Sequence, residues 1–286
     1  MPSLRHHLDH AESALKQGPH PAKARRDAEF LLLQVLGKNR AWLFTHADEP
    51  LIEELARSYA ELLSRRKLGE PIQHIFGECE FYGLPFRVTR DVLIPRPETE
   101  HLVEKALELA AHFAAPRIVD VGTGSGAVAV ALAHALAHAQ LTATDLSAAA
   151  LDIARENATR NKVAVRFLEG DLLASVAQER FEIVVSNPPY VPTTDRQNLS
   201  VEVRDYEPET ALFAGSDGLD IYRRLIPAAV DVLVPGGFVA LEIGYGQSTA
   251  ITELLSVFGF EGIKFTPDLQ GIARVASAQR PSPVKA

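Results

Sequence analysis

The most distinctive chemistry in this sequence is carried by five consecutive residues, Ser186-Asn187-Pro188-Pro189-Tyr190. Asn187 precedes a proline, which pushes its backbone towards an extended conformation. Pro188 and Pro189 have a fixed φ and no N–H. The outcome is a stiff turn that offers unpaired carbonyls, an amide side chain and an aromatic ring. A planar amino group needs that combination: two acceptors for its two N–H bonds and a flat face. A primary amide or an aromatic amine fits, whereas a carboxylate or a phosphate is repelled. Standing alone, the same tetrapeptide would be a turn that ends a strand.

A second constellation removes that isolation. Asp120-Val121-Gly122-Thr123-Gly124-Ser125-Gly126 lies between an apolar strand pattern and an apolar helix pattern. Its glycines allow a tight turn and a close approach of ligand to backbone. Asp145 ends the next strand, where a carboxylate can accept from both hydroxyls of a ribose. Asp171, in Glu169-Gly170-Asp171-Leu172, ends the third, within reach of an adenine amino group. Each of these alone is a cap, a turn or a nicotinamide-type loop. Three at successive strand ends read as a nucleoside site, because open parallel sheets bind ligands there. His6, His7 and His10, or His134 with His138, lack a third ligand at metal-binding spacing, so no metal is expected.

The elements that must hold these groups alternate from Arg117 onwards. Strands are expected at 118–121, 141–144, 163–168, 181–185 and 238–243, with helices between them and two closing strands from Gly262 to Ala276. Such alternation specifies an α/β fold with a mostly parallel sheet and helices on both faces. Before it, Leu4, Leu8, Ala11 and Leu15 fall at helical spacing, the run 28–36 closes at Gly37, and Ile52, Leu55, Tyr59, Leu62 and Leu63 mark another helix. Residues 75–94 change character, with a hairpin turning at Gly83. The expected organisation is a helical domain over 1–73, a hairpin linker over 74–96 and an α/β domain over 97–286.

Charge divides along the same line. Residues 1–70 hold 11 Lys and Arg against 10 Asp and Glu, while the remainder holds 18 against 27. An enzyme of duplex nucleic acid usually carries the opposite excess. Cys79 is the only cysteine, so no internal disulfide forms and a reducing compartment fits. The N-terminus is studded with charge and histidine, and the longest apolar stretch, 127–139, is too short to span a membrane. A cytoplasmic protein is expected.

The glycine loop paired with Asn187-Pro188-Pro189-Tyr190 resembles the amino-group methyltransferases, adenine and glutamine types alike. The flanks narrow the resemblance. Gln73-His74-Ile75-Phe76-Gly77, Glu80-Phe81-Tyr82-Gly83, Val92-Leu93-Ile94-Pro95-Arg96-Pro97-Glu98-Thr99-Glu100, Tyr206-Glu207-Pro208, Ala211-Leu212-Phe213 and Asp217-Gly218-Leu219 are similar to the peptide-chain release factor N5-glutamine methyltransferase family. A sister family acting on a ribosomal-protein glutamine usually runs through Ser-Pro where this chain has Pro97-Glu98-Thr99-Glu100.

The resemblance implies a Rossmann-like class I methyltransferase sheet with one antiparallel strand near the C-terminus, and a small N-terminal helical domain that docks substrate. It implies S-adenosyl-L-methionine as cofactor and class 1 peptide chain release factors as protein substrate, methylated on the glutamine of a Gly-Gly-Gln motif. By position, Gly122, Thr123, Gly124, Ser125 and Gly126 would hold the methionine part of the cofactor and Asp145 its ribose. Asp171 and Leu172 would lie beside the adenine, Leu172 standing where the family often carries an aromatic residue. Asn187, also beside the cofactor, and the Pro188 carbonyl would accept the two amide hydrogens. Pro189 stiffens the turn, and Tyr190 would pack flat on the amide with no need of a partner for its hydroxyl. Adenine methylation, ribosomal-protein glutamine methylation and plain nucleotide binding are the rival readings.

Overall fold

The helical spacing of Leu4, Leu8, Ala11 and Leu15 becomes the buried face of α1 (Leu4–Leu15), whose first turn is capped by the Ser3 hydroxyl accepting from the His6 N–H at 3.3 Å. Helix α2 (Ala24–Leu36) ends at Gly37, where φ is 61° and the Lys38 N–H returns to the Leu33 carbonyl. Helix α3 (Arg40–His46) is capped by Asn39. Helix α4 (Glu53–Lys67) carries Glu53 and Glu54 in its first turn and Arg65, Arg66 and Lys67 in its last, which complements the helix dipole. Helix α5 (Ile72–Phe76) closes at Gly77. Periodicity alone missed α3 and α5, which are too short for a repeating pattern.

The computed structural model describes residues 1–282 and divides into two compact units, one of Met1–Gly77 with Leu199–Tyr206, the other of Glu78–Asn198 with Glu207–Ala286. Residues 283–286, at the end of the expected α/β domain, lie outside the described residues.

The second unit begins with the expected hairpin. Strands β1 (Glu78–Phe81) and β2 (Leu84–Arg87) pair antiparallel across Tyr82 and Gly83, both at positive φ, as a two-residue turn of matching twist requires. After α6 (Glu100–Ala110), strands and helices alternate: β3 (Arg117–Val121), α7 (Ala127–Ala135), β4 (Gln140–Asp145), α8 (Ala148–Arg160), β5 (Arg166–Glu169) and β6 (Phe181–Ser186). Then come α9 (Val201–Tyr206), α10 (Asp220–Val232), β7 (Leu233–Glu242), α11 (Ser248–Val257), β8 (Glu261–Pro267) and β9 (Ala273–Gln279).

Seven strands form one sheet in the order β5-β4-β3-β6-β7-β9-β8, parallel except where β9 runs antiparallel to both neighbours. Helices α6 and α7 share one apolar cluster with the sheet, and α10 and α11 share the other. The expected third strand is shorter than its pattern, because β5 is an edge strand whose residues are half exposed. Helix α9 was not foreseen. It lies in the sequence between β6 and α10 of the sheet unit, yet it packs with the helical unit. The winding direction reverses at β3, with β4 on one side and β6 on the other, so a crevice opens at the carboxyl ends of these strands.

Candidate active site

The loop after β3 is shaped by hydrogen bonds to its neighbour strand. The Gly122 and Thr123 N–H groups both donate to the Thr144 carbonyl, at 2.9 and 3.0 Å, and the Gly124 N–H donates to Asp145 Oδ2 at 2.8 Å. Gly122 and Gly124 sit at φ of 70° and 54°, and a Cβ on either would meet no atom within 4 Å. Their open sides face a cavity of about 460 Å³, which Thr123, Ser125, Asp145, Asp171 and Leu172 also line.

Gly126 has a different task. It is absent from the cavity wall, and a Cβ there would come within 3.0 Å of Ala154 Cβ on α8. This glycine lets α7 start close against α8, so close helix packing accounts for it without a ligand.

Asp145 is a junction. Its two oxygens accept from the Gly124 and Ser147 N–H groups, which pins the carboxylate at the end of β4. Asp171 faces the cavity but is ion-paired with Arg224 of α10. Leu172 has φ of 52°, unusual for a leucine, and its carbonyl is held by the Thr144 hydroxyl at 2.8 Å.

At the far wall, the Ser186 hydroxyl donates to the Val121 carbonyl at 2.6 Å and ties the end of β6 to β3. Asn187, Pro188 and Pro189 follow directly and line the same cavity. Asn187 Nδ2 donates to Thr99 Oγ1 at 3.1 Å, and among the described residues nothing donates to its Oδ1. Tyr190 is not part of the cavity wall. Its hydroxyl donates to Glu242 Oε1 at 3.3 Å, its carbonyl accepts from Gln247 Nε2 at 3.1 Å, and Gly244 leaves room for its ring. The expectation of a ring without a hydroxyl partner is therefore corrected, because Glu242 ends β7 beside it.

The cavity is acidic. Asp91, Asp120, Asp145 and Asp171 line it against one guanidinium, that of Arg224. Asp120 is buried, which pushes its pKa up to about 7 although Thr123 and the Ala129 N–H hold it down. A cationic sulfonium nucleoside fits such a wall: carboxylate for a ribose, open glycines, and Val92, Leu93, Leu146 and Leu172 as apolar surface for a base. A pyrophosphate dinucleotide does not.

Residues 99–203 match the methyltransferase small domain and residues 6–77 match the PrmC N-terminal domain. Release factor glutamine methyltransferase of Geobacter sulfurreducens is 44% identical over 256 residues, covering 90% of this chain and 89% of its own. That of Koribacter versatilis is 41% identical and covers 96% of each. This chain belongs to the release factor glutamine methyltransferase family. In fold, a methyltransferase of Pyrococcus furiosus superposes with a TM-score of 0.51 at 20% identity, over 70% of this chain and 91% of that one.

For a member of the release factor glutamine methyltransferase family, the residues that sequence reasoning missed are informative. Thr99 sits inside the run Pro97-Glu98-Thr99-Glu100, where the sequence gives it no role, and Asn187 donates to it from 88 positions away. Glu242 had a signal: a lone acid within the otherwise apolar run Phe238–Ile243. Gln247 had none, because its side chain bridges Gly218 and Tyr190, distant in sequence. Among the described residues no group of three or more His, Cys, Asp or Glu is arranged to hold a metal, and no helix is long and apolar enough to cross a membrane.

Proposed function

We propose that this protein methylates the side-chain amide nitrogen of the glutamine in the Gly-Gly-Gln motif of class 1 peptide chain release factors, as a protein-(glutamine-N5) methyltransferase of the cytoplasm. The observation that carries the reading is the polarity of Asn187: its NH₂ is engaged by Thr99, so its Oδ1 is left as an acceptor in a wall of the acidic cavity. The names of the relatives in Geobacter sulfurreducens and Koribacter versatilis support the substrate.

When bound, S-adenosyl-L-methionine supplies a methyl group on an electrophilic sulfonium. Asp145, with both oxygens fixed by backbone N–H groups, keeps lone pairs for the ribose hydroxyls, and the open sides of Gly122 and Gly124 leave room for the methionine portion. Asp171 and Leu172 border the base. Asn187 Oδ1 and the Pro188 carbonyl accept the two amide hydrogens of the substrate. An amide nitrogen is a poor nucleophile, so alignment of its lone pair supplies much of the acceleration. The two acceptors also stabilise positive charge that develops on nitrogen. The proton leaves after transfer, since the wall offers the nitrogen acceptors rather than a dedicated base. Residues 1–73 dock the folded substrate.

Mass spectrometry of a purified release factor, incubated with cofactor with and without this protein, tests the reading. A gain of one methyl on the Gly-Gly-Gln glutamine is expected. Transfer to adenine instead would replace the reading with the nucleic-acid one. Asn187→Ala is expected to lower kcat on the order of a hundredfold, the effect of one hydrogen bond made in the transition state, with cofactor affinity little changed.

A further inference from the structure

We propose that Glu242 is a positioning residue that sets the hydrogen-bond polarity of the substrate site, acting on Asn187 through Thr99 and directly on Tyr190. The proposal rests on the reading of an amide as the methyl acceptor.

An asparagine amide is nearly symmetric in shape, and rotation by half a turn exchanges its acceptor for its donors. In one orientation Asn187 presents Oδ1 to the cavity and attracts a substrate NH₂. In the other it presents its own NH₂, repels an amide nitrogen and suits a carboxylate. Something must break the symmetry, and Thr99 does so only if its own hydroxyl is polarised, because it has one proton to give.

Glu242 supplies the bias. It is 2% exposed, as buried as Thr99 at 3%. Its carboxylate accepts from the Tyr190 hydroxyl at 3.3 Å, and the Thr99 side chain lies close enough to lower its pKa. An ionised carboxylate can only accept. In the proposed arrangement the Thr99 proton turns to this carboxylate, which leaves Thr99 Oγ1 to accept from Asn187 Nδ2 at 3.1 Å. Oδ1 is left facing the substrate. The same carboxylate fixes the Tyr190 hydroxyl two residues beyond the prolines.

This carboxylate is costly to keep. Its Oε2 is buried without a hydrogen bond of normal geometry, and an apolar or amide side chain would pack there without that penalty. Burial, with Glu98 nearby, raises its pKa to about 7, against the opposing effects of Thr99, Tyr190 and Arg274. Tyr222 faces the same residue but donates its hydroxyl to the Glu242 backbone carbonyl. Below about pH 7 the carboxyl carries a proton and becomes a donor, which removes the bias on Thr99.

The test compares wild type with Glu242→Gln, Thr99→Val and Thr99→Ser on an intact release factor. Wild-type kcat is expected to rise with pH through about 7. Glu242→Gln is expected to lose that limb and to fall about tenfold to a hundredfold in kcat, with cofactor dissociation constant by calorimetry unchanged within about twofold. Thr99→Val should fall similarly, Thr99→Ser should retain activity, and the double variant should be no worse than either single one. Glu242→Gln is also expected to resist denaturant better than wild type at pH 8, which a merely structural role would reverse. Wild-type kcat and an unchanged pH profile in Glu242→Gln would overturn the proposal. If that variant does not fold, the Thr99 pair decides: equal activity of Val and Ser overturns it. Failure of wild type to methylate glutamine is a different result and removes the functional reading itself.

Discussion

At the scale of single residues, two buried acids dominate the pH behaviour expected of the protein. Burial raises Glu242 from 4.5 to about 7 and Asp120 from 3.8 to about 7. Between the unfolded and folded values, the folded protein holds protons that the unfolded chain has released. Stability from these groups is therefore full below about pH 4 and is lost as pH rises through 7. For Glu242 the loss is on the order of 3 kcal/mol. Urea unfolding of wild type and Glu242→Gln at several pH values measures it as a difference that widens from acid to neutral pH. A constant difference would mean that Glu242 does not titrate. Tyr190 gives a second prediction. Its hydroxyl donates to Glu242, so Tyr190→Phe should lower unfolding free energy at pH 8 by about 1–3 kcal/mol, with a larger loss in Tyr190→Ala. Equal stability of Phe and wild type would show that the hydroxyl holds nothing.

At the scale of elements, the glycine loop joins two functions that look identical in sequence. Gly122 and Gly124 open onto the cavity, whereas Gly126 lies against Ala154. All three have positive φ, so alanine is strained at each by about 1 kcal/mol. Gly126→Ala adds a clash between α7 and α8, which raises the cost to about 2–4 kcal/mol. Gly124→Ala should instead weaken cofactor binding more than it weakens the fold. Calorimetric affinity and denaturant midpoint, measured on both variants, separate the two outcomes. A fall in affinity of Gly126→Ala as large as that of Gly124→Ala would assign the third glycine to the cofactor as well.

At the scale of the whole molecule, the chain leaves the sheet unit after Asn198 and returns at Glu207, and what lies between belongs to the helical unit. Arg66, 2% exposed, bonds Asp27 at 2.6 Å and Glu202 of α9 at 2.7 Å, and Lys23 adds a bond to Glu202 at 2.9 Å. Removing Arg66 takes its 2.6 Å partner from the buried Asp27, while Glu202 keeps Lys23, so Arg66→Ala should destabilise by about 3 kcal/mol in denaturant unfolding. Deleting residues 1–73 would leave α9 without the helices it packs on, which makes truncation a poor test of docking. A cleaner comparison sets an intact release factor against a short Gly-Gly-Gln peptide. With docking, the intact protein should be favoured by about a hundredfold in kcat/KM, chiefly through KM. For the docking proposed above, Phe44, exposed on α3, is the first residue to change: Phe44→Ser should raise KM for the intact protein alone.

Most of the fold was legible in the sequence because it rests on local periodicity. Leu4, Leu8, Ala11 and Leu15 could only form one buried helix face, and alternating strands and helices could only build a parallel sheet with ligands at its carboxyl ends. The stiffness of Asn187-Pro188-Pro189 is likewise fixed by covalent geometry within three residues. What the sequence could not decide is everything that depends on residues far apart meeting. The orientation of Asn187 comes from Thr99, 88 positions earlier, and the anchoring of Tyr190 from Glu242, 52 positions later. Gly126 looked like its two neighbours until Ala154 was found beside it, and α9 looked like a loop until Arg66 was found holding Glu202. Those contacts follow no repeat along the chain. They exist only after the sheet has brought its strand ends together, and there the donor-acceptor pattern of the site is set.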